Sequence, residues 1–202
     1  MIYSPRLTAV LDACVLYPAP IRDIVLSFAA EGLFIAKWSV IIQVQWLRNL
    51  LKNRSDLKKE QLNQTIKAMN MAFPDANVDD FKNLISGVEL PDKDDRHVVA
   101  CSIKCNADLI VTFNAKDFPS KELSKYDIAI QTPDELISNL IDTNSKLACM
   151  AFNKMVLRLK NPKKSKDEVL ETLVKCGLME SIEKLKSKCY RTGHEEMIKL
   201  NR

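Results

Sequence analysis

Two short apolar runs set what this chain can fold into. Residues 8–11 (TAVL) and 108–113 (DLIVTF) are too short for helices and rich in β-branched side chains, and they stop at Asp12 and Asn114. Runs of this kind read as strands buried on both faces, the environment of a parallel sheet. Residues 33–37 and 127–131 are weaker strand candidates of the same type. Between the strands, apolar positions recur every three or four residues over 21–30, 39–52, 57–71, 78–85 and 94–106, which is amphipathic-helix spacing. Strands alternating with helices predict an α/β fold, a parallel sheet with helices on both faces. Ligands of such sheets sit beyond the carboxyl ends of the strands. Asp12 and Asn114 fall there, with Asp117 in the same loop.

Beyond residue 131 the pattern is helical throughout. Thr132-Pro133 followed by Asp134 and Glu135 opens a helix that should run to about residue 141, and 145–160, 165–176 and Met179–Cys189 follow. Ser165 and Glu168 form a capping box, Gly177 is a helix stop, and residues 161–164 (NPKK) are a hinge. The expected division is an α/β domain over residues 1–141 and a helical extension over residues 142–202. The extension carries 14 lysines and arginines against 8 acidic residues, whereas residues 1–141 carry 16 against 18. A basic appendage suits RNA or an acidic protein partner, and equally a solvated helical surface.

Several chemistries lack the residues they need. With glycines only at 32, 87, 177 and 193, the chain has no glycine-rich loop to bring backbone amides against a phosphate. Neither histidine has a partner at metal-ligand spacing, and no serine sits in a nucleophile elbow. The six cysteines form no CxxC pair and no zinc pattern, so they read as reduced thiols, with Cys101 and Cys105 sharing a helix face as core packing. Reduced thiols, no signal-like opening and no long apolar stretch predict a cytoplasmic protein without membrane contact.

What remains is aspartate. Asp12 ends the first strand, Asp92, Asp94 and Asp95 cluster in PDKDDRHVVACS, and Asp117 lies in TFNAKDF. Carboxylates converging at one sheet end repel one another unless a cation neutralises them. Hard oxygen donors suit Mg²⁺ or Mn²⁺, and the chemistry that follows is metal-assisted phosphodiester hydrolysis.

The segments LDACVLYP, WSxxxxxxW, LPDKDDRHVVACSI and DLIVTFNAKDFP resemble the successive motifs of the PIN-domain family, specifically its VapC-type toxins. The resemblance covers roughly residues 7–140, and LKNPKKSKDEVLETLVKCGLMESIEKL is similar to the helical C-terminal extension of one VapC subgroup. It implies an Mg²⁺- or Mn²⁺-dependent endoribonuclease with an RNA substrate, a cognate antitoxin and a homodimeric state. Asp12 matches the first family aspartate and Asp95, rather than Asp94, the next. The last acidic position falls on Asn114 or Asp117. The family's glutamate after the WS motif is here Gln45, which keeps an acceptor oxygen but loses the charge that attracts a cation. The competing expectation is therefore a weakened PIN domain that binds RNA or antitoxin without efficient cleavage. Arg96 and His97 read as a surface arginine and a structural histidine, with phosphate contact or proton transfer as the alternative, Arg22 and Arg48 as surface residues or RNA or antitoxin contacts, and Trp38 and Trp46 as core or subunit-contact aromatics.

Overall fold

The computed structural model describes residues 6–189. Four strands, β1 (Thr8–Leu11), β2 (Ile35–Lys37), β3 (Leu109–Val111) and β4 (Ala129–Gln131), form one parallel sheet in the order β2-β1-β3-β4. The apolar runs become the two central strands because both their faces are covered: Ala9, Val10, Leu11, Ile110 and Val111 are all fully buried. Helices α1 (Ala13–Leu16) and α2 (Ala19–Ala30) carry the chain from β1 to β2. Helices α3 (Val40–Asn53), α4 (Lys59–Ala72) and α5 (Arg96–Lys104) carry it back past β1 to β3, and α6 (Ser120–Leu123) leads to β4. The first crossover runs to one side of β1 and the second to the other. With right-handed crossovers, α2 and α5 therefore cover opposite faces of the sheet. The reversal leaves a crevice at the carboxyl ends of β1 and β3, where ligands of open α/β sheets bind.

Two expectations are corrected. Residues 78–85 do not form an α-helix; a 3-10 turn occupies Lys82–Gly87 instead. The preceding chain is held to the sheet edge, where Trp38 N–H donates to Ala76 O and Val78 N–H to Trp38 O, and the left-handed Asp80 (φ 56°) breaks any helical run. Val78, Phe81, Val88 and Leu90 still bury their side chains, so the spacing reported burial and not helix. The cysteines are not all reduced: Cys149 and Cys189, 40 residues apart, are joined in a disulfide. Their meeting depends on the last helix folding back along an earlier one, which local spacing does not encode. Cys14, Cys101, Cys105 and Cys176 are free thiols.

Helix α7 (Pro133–Thr143) spans the expected boundary after residue 141, and α8 (Ser145–Arg158), α9 (Lys166–Lys175) and α10 (Met179–Cys189) follow it. Residues beyond 189 lie outside the described residues. Thr132 with Glu135 and Ser165 with Glu168 form reciprocal capping boxes at the starts of α7 and α9, and Gly177 (φ 95°) ends the turn after α9. Helix α8 lies against α2, its Ala148, Ala151 and Phe152 buried and its Lys154 paired with Glu31. Helix α10 is locked to α7 by polar contacts. Asp134 accepts from the backbone N–H of Glu180 and Ser181 at 3.0 and 2.8 Å, and Lys184 reaches Ser138 and Asp142. The two orphan amides at the start of α10 thus depend on a side chain from another helix. Replacing Asp134 with alanine is expected to lower stability by about 1–2 kcal/mol, the cost of losing a helix cap. Urea unfolding measures it; an unchanged midpoint shows that the cap contributes nothing.

Candidate functional site

Asp12 is the residue immediately beyond β1, and it is only 3% exposed. A buried carboxylate has to be satisfied by donors, and here the fold supplies three. Oδ1 accepts from the backbone N–H of Ala13 at 2.5 Å, capping α1, while Oδ2 accepts from Thr112 Oγ1 at 2.8 Å and from Cys14 Sγ at 3.0 Å. Leu11 and Val111 are register partners, so the next residue of each strand, Asp12 and Thr112, meets across the sheet end. Thr112 Oγ1 in turn accepts from Asn114 N–H at 3.0 Å, which fixes the turn leaving β3. Burial, and then the neighbouring Asp12 charge, push the Cys14 thiol up to about 12. It is thus a neutral donor to Asp12 and not a nucleophile.

Asp95 arrives from α5. Asp92 Oδ1 accepts from Asp94 N–H at 2.8 Å to form the turn that leads into the helix, and Val98, Val99, Ala100 and Cys101 are fully buried on the next residues. The helix is anchored against β1 and β3, so Asp95 at its start is carried to the sheet end. Burial raises its pKa from an ordinary 3.8 to about 6, reinforced by the charges of Asp12, Asp92, Asp117 and Asp94. Asp12, Asp95 and Asp117 therefore share one electrostatic neighbourhood. Asp117 is partly buried, and its N–H donates to Asn114 O within the loop after β3. Asn114 is exposed and makes no side-chain cap there.

The donor set has the chemistry of a hard-cation site, carboxylate oxygens whose mutual repulsion a divalent ion would relieve. Among the described residues, no group of three or more His, Cys, Asp or Glu side chains is drawn together closely enough to hold an ion as it stands. The residues fit Mg²⁺ or Mn²⁺ by type and by charge.

Gln45 lines a recess together with Asp94 and His97. It lies on α3, and its Oε1 accepts from His97 Nε2 at 3.1 Å. His97 is 8% exposed, its Nδ1 is buried with no partner, and burial holds its pKa below the ordinary value against the opposing pull of Asp12 and Asp94. Arg96 Nε is likewise buried without a partner. Arg22 is structural: it donates to Leu16 O at 2.8 Å and lies over the Trp46 ring at 5.1 Å. Trp38 and Trp46 are core residues, both fully buried. Gln43, one residue from an exposed neighbour, locks α3 to α4 through Asn70 Oδ1 at 2.8 Å. Sequence reasoning missed Thr112 and Cys14 as the residues that hold Asp12. Their signal was position, since each follows a strand end that already carried a candidate ligand.

An acidic cluster at the reversal point of a parallel sheet, followed by a helical appendage, defines a PIN-like α/β protein. Residues 133–187 match the family model of the VapC50 C-terminal domain. That match covers the helical end of the chain, and the parallel sheet ahead of it fits a PIN fold. No curated protein and no solved structure matches the chain. No helix among the described residues is long and apolar enough to cross a membrane.

Because its pKa is raised, Asp95 favours the fold when protonated. That contribution is present below about pH 4 and is lost as pH rises through about 6. The full shift corresponds to about 3 kcal/mol, and solvent screening at the open sheet end reduces it to on the order of 1 kcal/mol. The metal-free Asp95→Asn protein is expected to melt above the parent at pH 7.5, with the gap closing towards pH 4. Calorimetry in EDTA at both pH values is the check, and a less stable variant at pH 7.5 contradicts it.

Proposed function

We propose that this chain is a metal-dependent endoribonuclease toxin of the VapC type, acting on RNA in the cytoplasm and restrained by a cognate antitoxin. The observation that carries this reading is the convergence of Asp12, Asp95 and Asp117 on one end of the sheet, close enough for their charges to raise Asp95. Asp12, Asp95 and Asp117 are the residues that would hold Mg²⁺ or Mn²⁺. Asp117 is preferred to Asn114 because its charge acts on Asp95. When bound, such an ion supplies positive charge to the scissile phosphate and lowers the pKa of attacking water.

The chain's own part is orientation. Thr112, Cys14 and the Ala13 amide fix the Asp12 carboxylate in advance, so little reorganisation remains when the site fills. Asp95 must be ionised to bind a cation, so affinity should weaken below about pH 6. The division into a nuclease unit over residues 1–141 and a basic extension over 142–202 is retained, with α7 joined to both: it contacts α2 and β4 as well as α8 and α10. A homodimer is carried over from the family likeness alone.

A second reading, a PIN domain of weakened turnover, is favoured by Gln45. Its oxygen is engaged by His97 and its side chain brings no negative charge. Both readings are tested by cleavage of a labelled single-stranded RNA in Mn²⁺. Asp12→Asn and Asp117→Asn should each lower the rate at least about a hundredfold, the scale of losing an electrostatic catalytic contact, while their melting curves stay cooperative. If Gln45→Glu turns an inert parent into an active enzyme, the weakened reading holds. If none of these proteins cleaves RNA and none binds Mn²⁺ calorimetrically, the nuclease assignment fails.

A further inference from the structure

Beside the acidic centre lies an open recess of about 380 Å³ whose lining includes Val40, Val44, Gln45, Arg48, Asp94 and His97. Its volume is within the range of small-molecule pockets. Val40, Val44 and Arg48 are successive i,i+4 neighbours along α3. The two valines are 52% and 54% exposed, and Arg48 is also exposed. Two exposed valines one turn apart, next to a charged site, offer a small apolar surface for a ligand to cover.

The donors of the recess point to what that partner is. His97 Nε2 occupies the Gln45 oxygen, so the Gln45 amide nitrogen is the end left to donate, and it makes no hydrogen bond among the described residues. Arg48 likewise has no ion pair or hydrogen bond there. Two free donors, one cationic, beside exposed apolar side chains match one nucleotide of a single strand: a phosphate for the arginine and a base face for the valines. Asp94 ties the recess to the acidic centre, since it lies next to Asp95 in the chain and its charge acts on that residue. A strand whose scissile phosphate lies at the acids can therefore extend into the recess without leaving the surface. A second protein copy is a poorer match, because two valines fall far short of the roughly 800 Å² per partner of a stable interface.

We propose that this recess is a subsite for the RNA strand: Arg48 contacts the phosphate neighbouring the scissile one, the Gln45 amide donates to the same nucleotide, and Val40 and Val44 pack under its base. The assignment rests on the nuclease reading above. It gives Gln45 a function of its own, because a carboxylate at this position would repel the strand that the amide binds.

The test uses the full chain and a fluorescein-labelled single-stranded RNA of mixed sequence, with affinity read by anisotropy in EDTA over a salt series. Arg48→Gln should weaken binding about tenfold at low salt and reduce the salt slope by about 1, as expected for one lost phosphate contact. Gln45→Glu should weaken RNA binding at least about threefold while tightening Mn²⁺ binding in calorimetry, whereas Gln45→Asn should keep RNA affinity nearer the parent than Gln45→Glu does. A purely structural role for Gln45 would not move the two ligands in opposite directions. Parent-like RNA affinity and salt slope in both Arg48→Gln and Gln45→Glu, with the parent cleaving RNA normally, overturn the subsite and leave the nuclease reading standing. A parent that neither binds nor cleaves RNA removes both. If Val44→Asp converts a dimer into a monomer in sedimentation without changing RNA affinity, the recess is a contact between copies and the proposal is wrong.

Discussion

The hydrogen bond from Thr112 to the buried carboxylate of Asp12 is the contact on which the site depends. A carboxylate 3% exposed at the end of a central strand is costly to bury unless donors replace its lost water. Hydrogen bonds to a charged group contribute about 1.5–3 kcal/mol each and make the position tolerable. Those donors exist only because β1 and β3 pair in one register, with Leu11 opposite Val111. A slip of one residue would turn every side chain of the strand to the other face and separate Asp12 from Thr112. Sheet register, the α1 cap and the turn after β3 are therefore consequences of one constraint, seen from three sides.

The acids brought in by α5 and the loop after β3 oppose this constraint. Helix α5 is fixed by a fully buried run from Val98 to Cys101, which overrides the repulsion between Asp95 and its acidic neighbours. The cost of crowding them is carried by packing elsewhere. Arg22 contributes in the same manner at a distance. Spread over Trp46 and bonded to Leu16 O, it fastens α2 to the chain that follows Asp12.

How far the sequence revealed this depended on which physical signal each part carried. The central strands were legible because burial on both faces demands continuous apolar runs, and the place of Asp12 at the sheet end followed from them, whereas Asp95 was singled out only by its resemblance to a family motif. Residues 78–85 misled because apolar spacing reports burial, while their backbone bonds go to Trp38 at the sheet edge. The disulfide between Cys149 and Cys189 was illegible because it depends on the tertiary return of α10 along the extension. The cap of α10 was hidden for the same reason, since Asp134 stands 46 residues ahead of the Glu180 amide that it satisfies. Gln45 was visible as a departure, but its engagement with His97 was not, because 52 residues separate them.

That engagement changes what the departure means. A glutamate at position 45 could accept from His97 as well as the glutamine does, so the hydrogen bond alone does not select the amide. The difference lies in charge. A further carboxylate would join a neighbourhood in which Asp12, Asp92, Asp94 and Asp117 already raise Asp95. It would strengthen attraction for a cation and raise repulsion towards any polyanion. An amide gives up the first and avoids the second, while its free nitrogen can donate. On the subsite proposed above, the identity of residue 45 would set how the sheet end divides its affinity between metal and nucleic acid strand, and glutamine would move that balance towards the strand.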